Sequence, residues 1–153
     1  MGAAEVRTYP ARDTARAMSQ ENMEIARRCF DAWARDDLDA FLAEIDPEVV
    51  WHTAIEGSAE GDDMVYRGYD GVRQVWKDYR GEVFSRIEAW ETEVIDLGAS
   101  VLRLGRLRVT GRTSGVEIES EFAQQVVMRD GLIVSSRDYL SHAEALEAAG
   151  LSE

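Results

Sequence analysis

Between Ile87 and Leu140 the apolar residues recur at every second position, and this period constrains the chain more than any other feature. Turn signals at Leu97-Gly98, Thr113-Ser114-Gly115 and Asp130-Gly131 divide the stretch into β-rich runs, which predicts an antiparallel meander. Charge then selects the register. Arg106 and Arg108 alternate on one run and Glu119 and Glu121 on the next, and a loop from Arg112 to Gly115 sets them face to face. A slip of one residue would lose that pairing and turn the apolar face outward.

The same register places Val101, Arg103, Leu107 and Val109 on the inner face, with Arg103 opposite Gln124 and Val109 opposite Ile118. For the last hairpin, a loop of Arg129, Asp130 and Gly131 groups Val126 and Met128 with Leu132, Val134, Ser136 and Asp138. A tighter turn of two residues would align them with Ser135 and Arg137 instead. The first arrangement keeps the apolar face continuous, and it brings Arg103, Gln124, Ser136 and Asp138 together on that face. Burying an unpaired charge costs several kcal/mol, so two alternatives stand open: a structural bridge between Arg103 and Asp138, or polar groups lining a ligand cavity.

Upstream the period changes to that of helices. Met23, Ala26, Phe30 and Trp33 form one stripe after a Ser19 cap, predicting a helix over 20–35. Asp37 caps a shorter one carrying Leu38, Phe41, Leu42 and Ile45, which Pro47 ends before a strand of Val49, Val50, Trp51, His52 and Thr53. Residues 54–69 read as a long loop, and Val72, Val75, Trp76 and Tyr79 mark a third helix opened by Asp70-Gly71 and ended by Gly81. Ser141 caps a closing helix from Ala143 to Ala148. With 153 residues, 45% of them hydrophobic, the chain supports one core: a domain over 18–153 behind an N-terminal tail of residues 1–17.

Thirty acidic against seventeen basic side chains give a net charge of -13, which repels phosphate backbones and anionic lipid, so nucleic acid and membrane partners are not expected. No apolar run approaches the roughly 20 residues that cross a bilayer, nor is there a secretory leader, which points to the cytoplasm. The single cysteine, Cys29, excludes a disulfide framework and reads as a small buried apolar residue. His52 and His142 lie far apart and no ligand spacing occurs, so no metal is expected. The Gly68-Tyr69-Asp70-Gly71 run lacks the spacing of a phosphate loop, and no motif asks for a cofactor.

The run from Ser19 to Trp33, Asp37-Leu38-Asp39, Val49-Val50-Trp51-His52, Gly68-Tyr69-Asp70-Gly71-Val72, Arg129-Asp130-Gly131 and Tyr139 to Leu151 together resemble SnoaL-like proteins of the nuclear transport factor 2-like class. That class includes ketosteroid isomerases, polyketide cyclases and limonene-epoxide hydrolases. The resemblance implies an α+β fold in which three helices from the N-terminal half close a curved antiparallel sheet into a cone around a pocket, with a short C-terminal helix; it also implies a homodimer through the sheet's outer face. Compared with ketosteroid isomerases, Thr53 stands at the base position, Cys29 at the oxyanion tyrosine and Gln124 at the protonated aspartate. Compared with epoxide hydrolases, Arg103 and Asp138 match, whereas Gly105, Trp51 and Thr53 replace an aspartate, a tyrosine and an asparagine.

The expected function is therefore a pocket for a small apolar molecule, with isomerase, cyclase or hydratase chemistry by acid and base or, alternatively, noncatalytic binding. Asp138 and Arg103 are the catalytic candidates, with His52 second if it turns inward. Trp51, Thr53, Trp76, Gln124 and Ser136 are the candidate ligand contacts.

Overall fold

The computed structural model describes residues 5–7, 13–54 and 65–151. In chain order these form β1 (Glu5–Arg7), α1 (Asp13–Ala34), α2 (Leu38–Leu42), β2 (Ile45–His52), β3 (Val65–Arg67), α3 (Gly68–Lys77), β4 (Phe84–Asp96), β5 (Ser100–Gly111), β6 (Glu117–Arg129), β7 (Leu132–Tyr139) and α4 (His142–Ala148). Helix α3 runs on into a π-helical turn, Asp78–Glu82, which carries Tyr79 and Arg80. The strands make one seven-stranded sheet in the order β1-β4-β5-β6-β7-β2-β3, and α1 and α3 pack against it. The α+β architecture is the expected one.

The meander from β4 to β7 is antiparallel and its central register agrees with the charge argument. Arg106 pairs with Glu121, Arg108 with Glu119, Arg103 with Gln124 and Val109 with Ile118. The ion pairs themselves run diagonally, Arg106 to Glu119 at 3.3 Å and Arg108 to Glu117 at 3.7 Å. Such exposed pairs stabilise by less than about 1 kcal/mol each, so they act on register more than on stability.

The sheet as a whole is mixed, which corrects the wholly antiparallel expectation. Strand β2 lies parallel to β7, and β1 lies parallel to β4. Alternation of side chains records which face is buried but carries no information about strand direction. Part of the stretch read as a tail thus pairs with the sheet, Glu5 to Glu93 and Arg7 to Ile95, and α1 starts at Asp13 rather than at Ser19. Ile45 belongs to β2 rather than to the second helix, and Pro47 coincides with a register shift between Ile45 and Val50. Of the expected loop, residues 55–64 lie outside the described residues, while Val65–Arg67 form a strand against Val50–His52.

Two of the sheet's register shifts, both bulges, decide which side chains face inward around Arg103 and Asp138. At the last hairpin the turn has two residues, Asp130 (φ 54°) and Gly131 (φ 80°), not the three expected. Val127 then pairs with Ser135 but Met128 with Ile133, so Val134 is extra. The bulge restores Ser136 and Asp138 to the inner face, whereas Ile133, 1% exposed, takes the inward place given to Leu132 and Val134. In β4, Glu91 pairs with Gly105 and Glu93 with Leu104, leaving Thr92 extra. Ile87, Ala89 and Glu91 therefore face inward before the bulge and Val94 after it, while Ile95 passes to the outer face.

That outer face is partly covered. Ile95, Leu102, Leu104 and Ala123 form a second apolar cluster with Ala145 of α4, all 5% exposed or less. Ser141 caps α4 by accepting from the Glu144 amide at 3.2 Å. The larger core lies on the inner face beneath α1 and α3.

Candidate active site

Register alone sets Gln124 between Arg103 on β5 and Asp138 on β7. The side chains complete a chain of contacts. Glu91 accepts from Arg103 Nη1 at 3.3 Å, Arg103 Nη2 donates to Gln124 Oε1, and Gln124 Nε2 donates to Asp138 Oδ1 at 2.7 Å. Trp51 Nε1, from β2, donates to Asp138 Oδ2 at 3.0 Å. A guanidinium only donates, so it holds the Gln124 amide with its oxygen toward Arg103 and its NH2 toward Asp138. Both Asp138 oxygens accept as a result, which favours the carboxylate. Arg103 also donates to the Ala26 carbonyl at 3.3 Å and lies 4.3 Å over the Phe30 ring.

Of these groups Trp51, Phe30, Arg103, Gln124 and Asp138 open on a cavity of about 520 Å³, solvent at its mouth included. Phe30, Trp33, Phe41, Trp51, Tyr79 and Phe122 supply half of its lining residues, and Asp138 is the one carboxylate among the described residues that line it. Aromatic walls with a few convergent polar groups are the usual make-up of a small-molecule pocket. Burial pushes the Asp138 carboxyl up to about 6; the hydrogen bonds from Gln124 and Trp51 and the charge of Arg103 pull the other way without prevailing. Such a group is mostly ionised at neutral pH yet close enough to its midpoint to take a proton and return it. Removing one donor tests that balance: Trp51→Phe keeps an aromatic ring in the wall but removes the N–H, and the Asp138 midpoint rises by roughly one pH unit. A carbon-13 titration of the carboxyl reads this directly, and an unmoved or lowered midpoint would contradict the hydrogen bond.

The other expected residues are spread more widely. Ser136 is 6% exposed and lines a second, smaller cavity with Cys29, Gln124 and Trp51, not the main one. Burial among apolar side chains pushes the Cys29 thiol up to about 12, so it is an inert neighbour there. Thr53 is buried and hydrogen-bonded with Tyr79, whose phenol burial raises above its ordinary range. Trp76 stands behind the wall: its ring meets Trp33 at 4.8 Å and Phe41 at 5.1 Å between centroids, and its Nε1 donates to Asp36 at 2.6 Å. His52 alternates with the buried Trp51 and Thr53, so it faces the other side of the sheet, away from the cavity.

Glu91, Phe30, Trp33, Phe41 and Phe122 were not singled out from sequence as site residues. Glu91 becomes visible only with the β4 bulge, and the rings carry the same period as ordinary core residues. The Arg-x-Asp pair sought at Arg103 and Gly105 is sterically excluded, since a Cβ at 105 would fall on the Trp90 carbonyl oxygen and 2.9 Å from its carbon. Glu91, directly across from Gly105, is the carboxylate that pairs with Arg103, at 3.3 Å. Among the described residues no cluster of His, Cys, Asp and Glu is placed to hold a metal, and no helix is long and apolar enough to cross a membrane.

Fold and site together define an α+β domain with a half-buried carboxylate in the wall of an aromatic cavity. The SnoaL-like domain family matches residues 26–136, and the chain belongs to that family. No curated protein sequence matches. Among solved structures it is similar to an NTF2-like protein of Burkholderia thailandensis, at 26% identity over 84% of this chain and 94% of that one, with a TM-score of 0.68. It is also similar to an NTF2-like protein of unknown function from Burkholderia pseudomallei, at 25% identity over 83% and 95%, TM-score 0.64. TerC, co-crystallised with polyporic acid, shares the fold at 20% identity over 83% and 96%, TM-score 0.69.

Proposed function

We propose that this chain is an acid–base enzyme of the isomerase, cyclase or hydratase type, acting on a largely apolar, ring-bearing small molecule with Asp138 as the base. The observation that carries the reading is a carboxyl fixed by two donors and facing an aromatic cavity, where burial pushes it up to about 6. Arg103 orients it through Gln124. Polyporic acid in TerC is consistent with a ring compound in this fold. The rival reading, a noncatalytic binding protein, draws on Thr53, Cys29 and Gln124 standing where the catalytic groups of ketosteroid isomerases would be.

One experiment separates them. Apolar ring ketones are incubated with the protein in deuterated buffer, and binding is followed by quenching of the tryptophan fluorescence, to which Trp33 and Trp51 in the cavity wall contribute, while proton exchange is followed by NMR. Exchange that disappears in Asp138→Asn supports the enzyme; binding with no exchange at any pH from about 5 to 8 leaves the rival.

The outer face of β5 and β6 supports a further part of the proposal, a homodimer. Arg106, Arg108, Glu117 and Glu119 alternate there in a pattern that complements itself under a two-fold axis, with Val116 and Ile118 exposed at the hairpin tip. Sedimentation at micromolar concentration should give twice the chain mass of 17.2 kDa, falling toward a monomer at high salt. A monomer at low salt overturns the assembly.

A further inference from the structure

We propose that Glu91 is a positioning residue: by pinning and neutralising Arg103, it lets Gln124 hold Asp138 beside a cation without the cation claiming Asp138 for itself. The inference rests on Asp138 being the base.

The geometry follows from the bulge. Thr92 is the extra residue, so Glu91 is the last inward side chain of that half of β4, set opposite a glycine. The absent side chain at Gly105 leaves Glu91 room to reach Arg103, two residues along β5, and the pair closes at 3.3 Å. Glu91 is 18% exposed at its side chain and Arg103 only 7%, so water screens the pair weakly.

Consider what Arg103 would do alone. An opposite charge at 4–6 Å typically lowers a carboxyl by about one to three pH units. Gln124 stands between Arg103 and Asp138, so the cation acts at one side chain's remove, and the charge of Glu91, paired with Arg103 at 3.3 Å, opposes the remaining field. The other groups that face Asp138 do not take this role. Trp51 from β2 and Gln124 from β6 are uncharged donors, and Tyr79 from the π-helical turn is a neutral phenol. Cys29 from α1 is a neutral thiol near Arg103. Glu91 is the anion in contact with Arg103 among the described residues.

The test needs no substrate. In the full chain, the Asp138 carboxyl is titrated by carbon-13 NMR, its resonance assigned by its loss in Asp138→Asn. Glu91→Gln keeps the acceptor and removes the charge, and the midpoint is expected to fall by about one pH unit. Glu91→Gln leaves a buried guanidinium uncompensated and risks not folding. The double variant Glu91→Gln, Arg103→Gln removes equal and opposite charges, and its midpoint should return to within about half a unit of the parent's. A parent midpoint near 6 with no fall in Glu91→Gln overturns the inference and leaves the base intact. So does a double variant whose midpoint lies a full unit below the parent's. A parent midpoint near 4 overturns the base and this inference together.

Discussion

Asp138→Asn lowers the rate of any reaction this pocket begins by proton removal by about 10²- to 10⁴-fold, the usual contribution of one positioned general base. In the parent, kcat/KM rises with pH and levels off above the Asp138 midpoint of about 6, because the carboxylate is the active form. The variant lacks that limb. The same substitution has a thermodynamic signature. Burial raises the folded midpoint from the ordinary 3.8 to about 6, so the folded state prefers the protonated acid. That preference stabilises the parent at low pH and is lost as pH rises through about 6, a change of roughly 2 kcal/mol between about pH 4 and pH 7. Asparagine does not titrate. It brings a constant offset, since one amide oxygen faces two donors, but the difference in stability between variant and parent should move by that amount across the window. Urea unfolding at the two pH values measures it, and parallel pH profiles would show that Asp138 is not held as described.

Gly105→Ala is expected to destabilise the fold by about 3 kcal/mol, the upper end of what overpacking costs. Its Cβ would land on the Trp90 carbonyl, which is backbone of the neighbouring strand and has no rotamer to escape into. Relief requires β4 and β5 to separate at the bulge, where Glu91 reaches Arg103. The loss in stability should therefore come with a displaced Asp138 midpoint. Gly81→Ala is the control, because a Cβ there meets nothing within 4 Å. Equal stability of Gly105→Ala and the parent in denaturant would rule out the close approach.

Arg103, Gln124 and Asp138 were brought to one face from strand alternation and cross-strand charge, and the hydrogen-bonded chain joins those three. The turn that does this is not the three-residue loop expected from sequence but a two-residue one, with a bulge at Val134 that restores the phase. Trp51, a candidate ligand contact from sequence, is buried and lines the main cavity. Ser136 and Trp76 share that side of the sheet but not the main cavity, because which void a side chain reaches depends on how α1, α2 and α3 fill the space above it. Glu91 carried no signal of its own among so many acidic residues.

The sequence by itself determined the meander, its central register, the helical stripes and the face on which three polar residues meet. These depend on alternation and turn chemistry, which act between near neighbours. Only the tertiary structure decided the parallel placement of β2 against β7, the two bulges, the close approach that demands Gly105, and the acid that answers Arg103. Each of these comes from fitting segments distant in the chain around one cavity, where the favourable packing of the whole outweighs a broken ladder bond that local pattern would never choose.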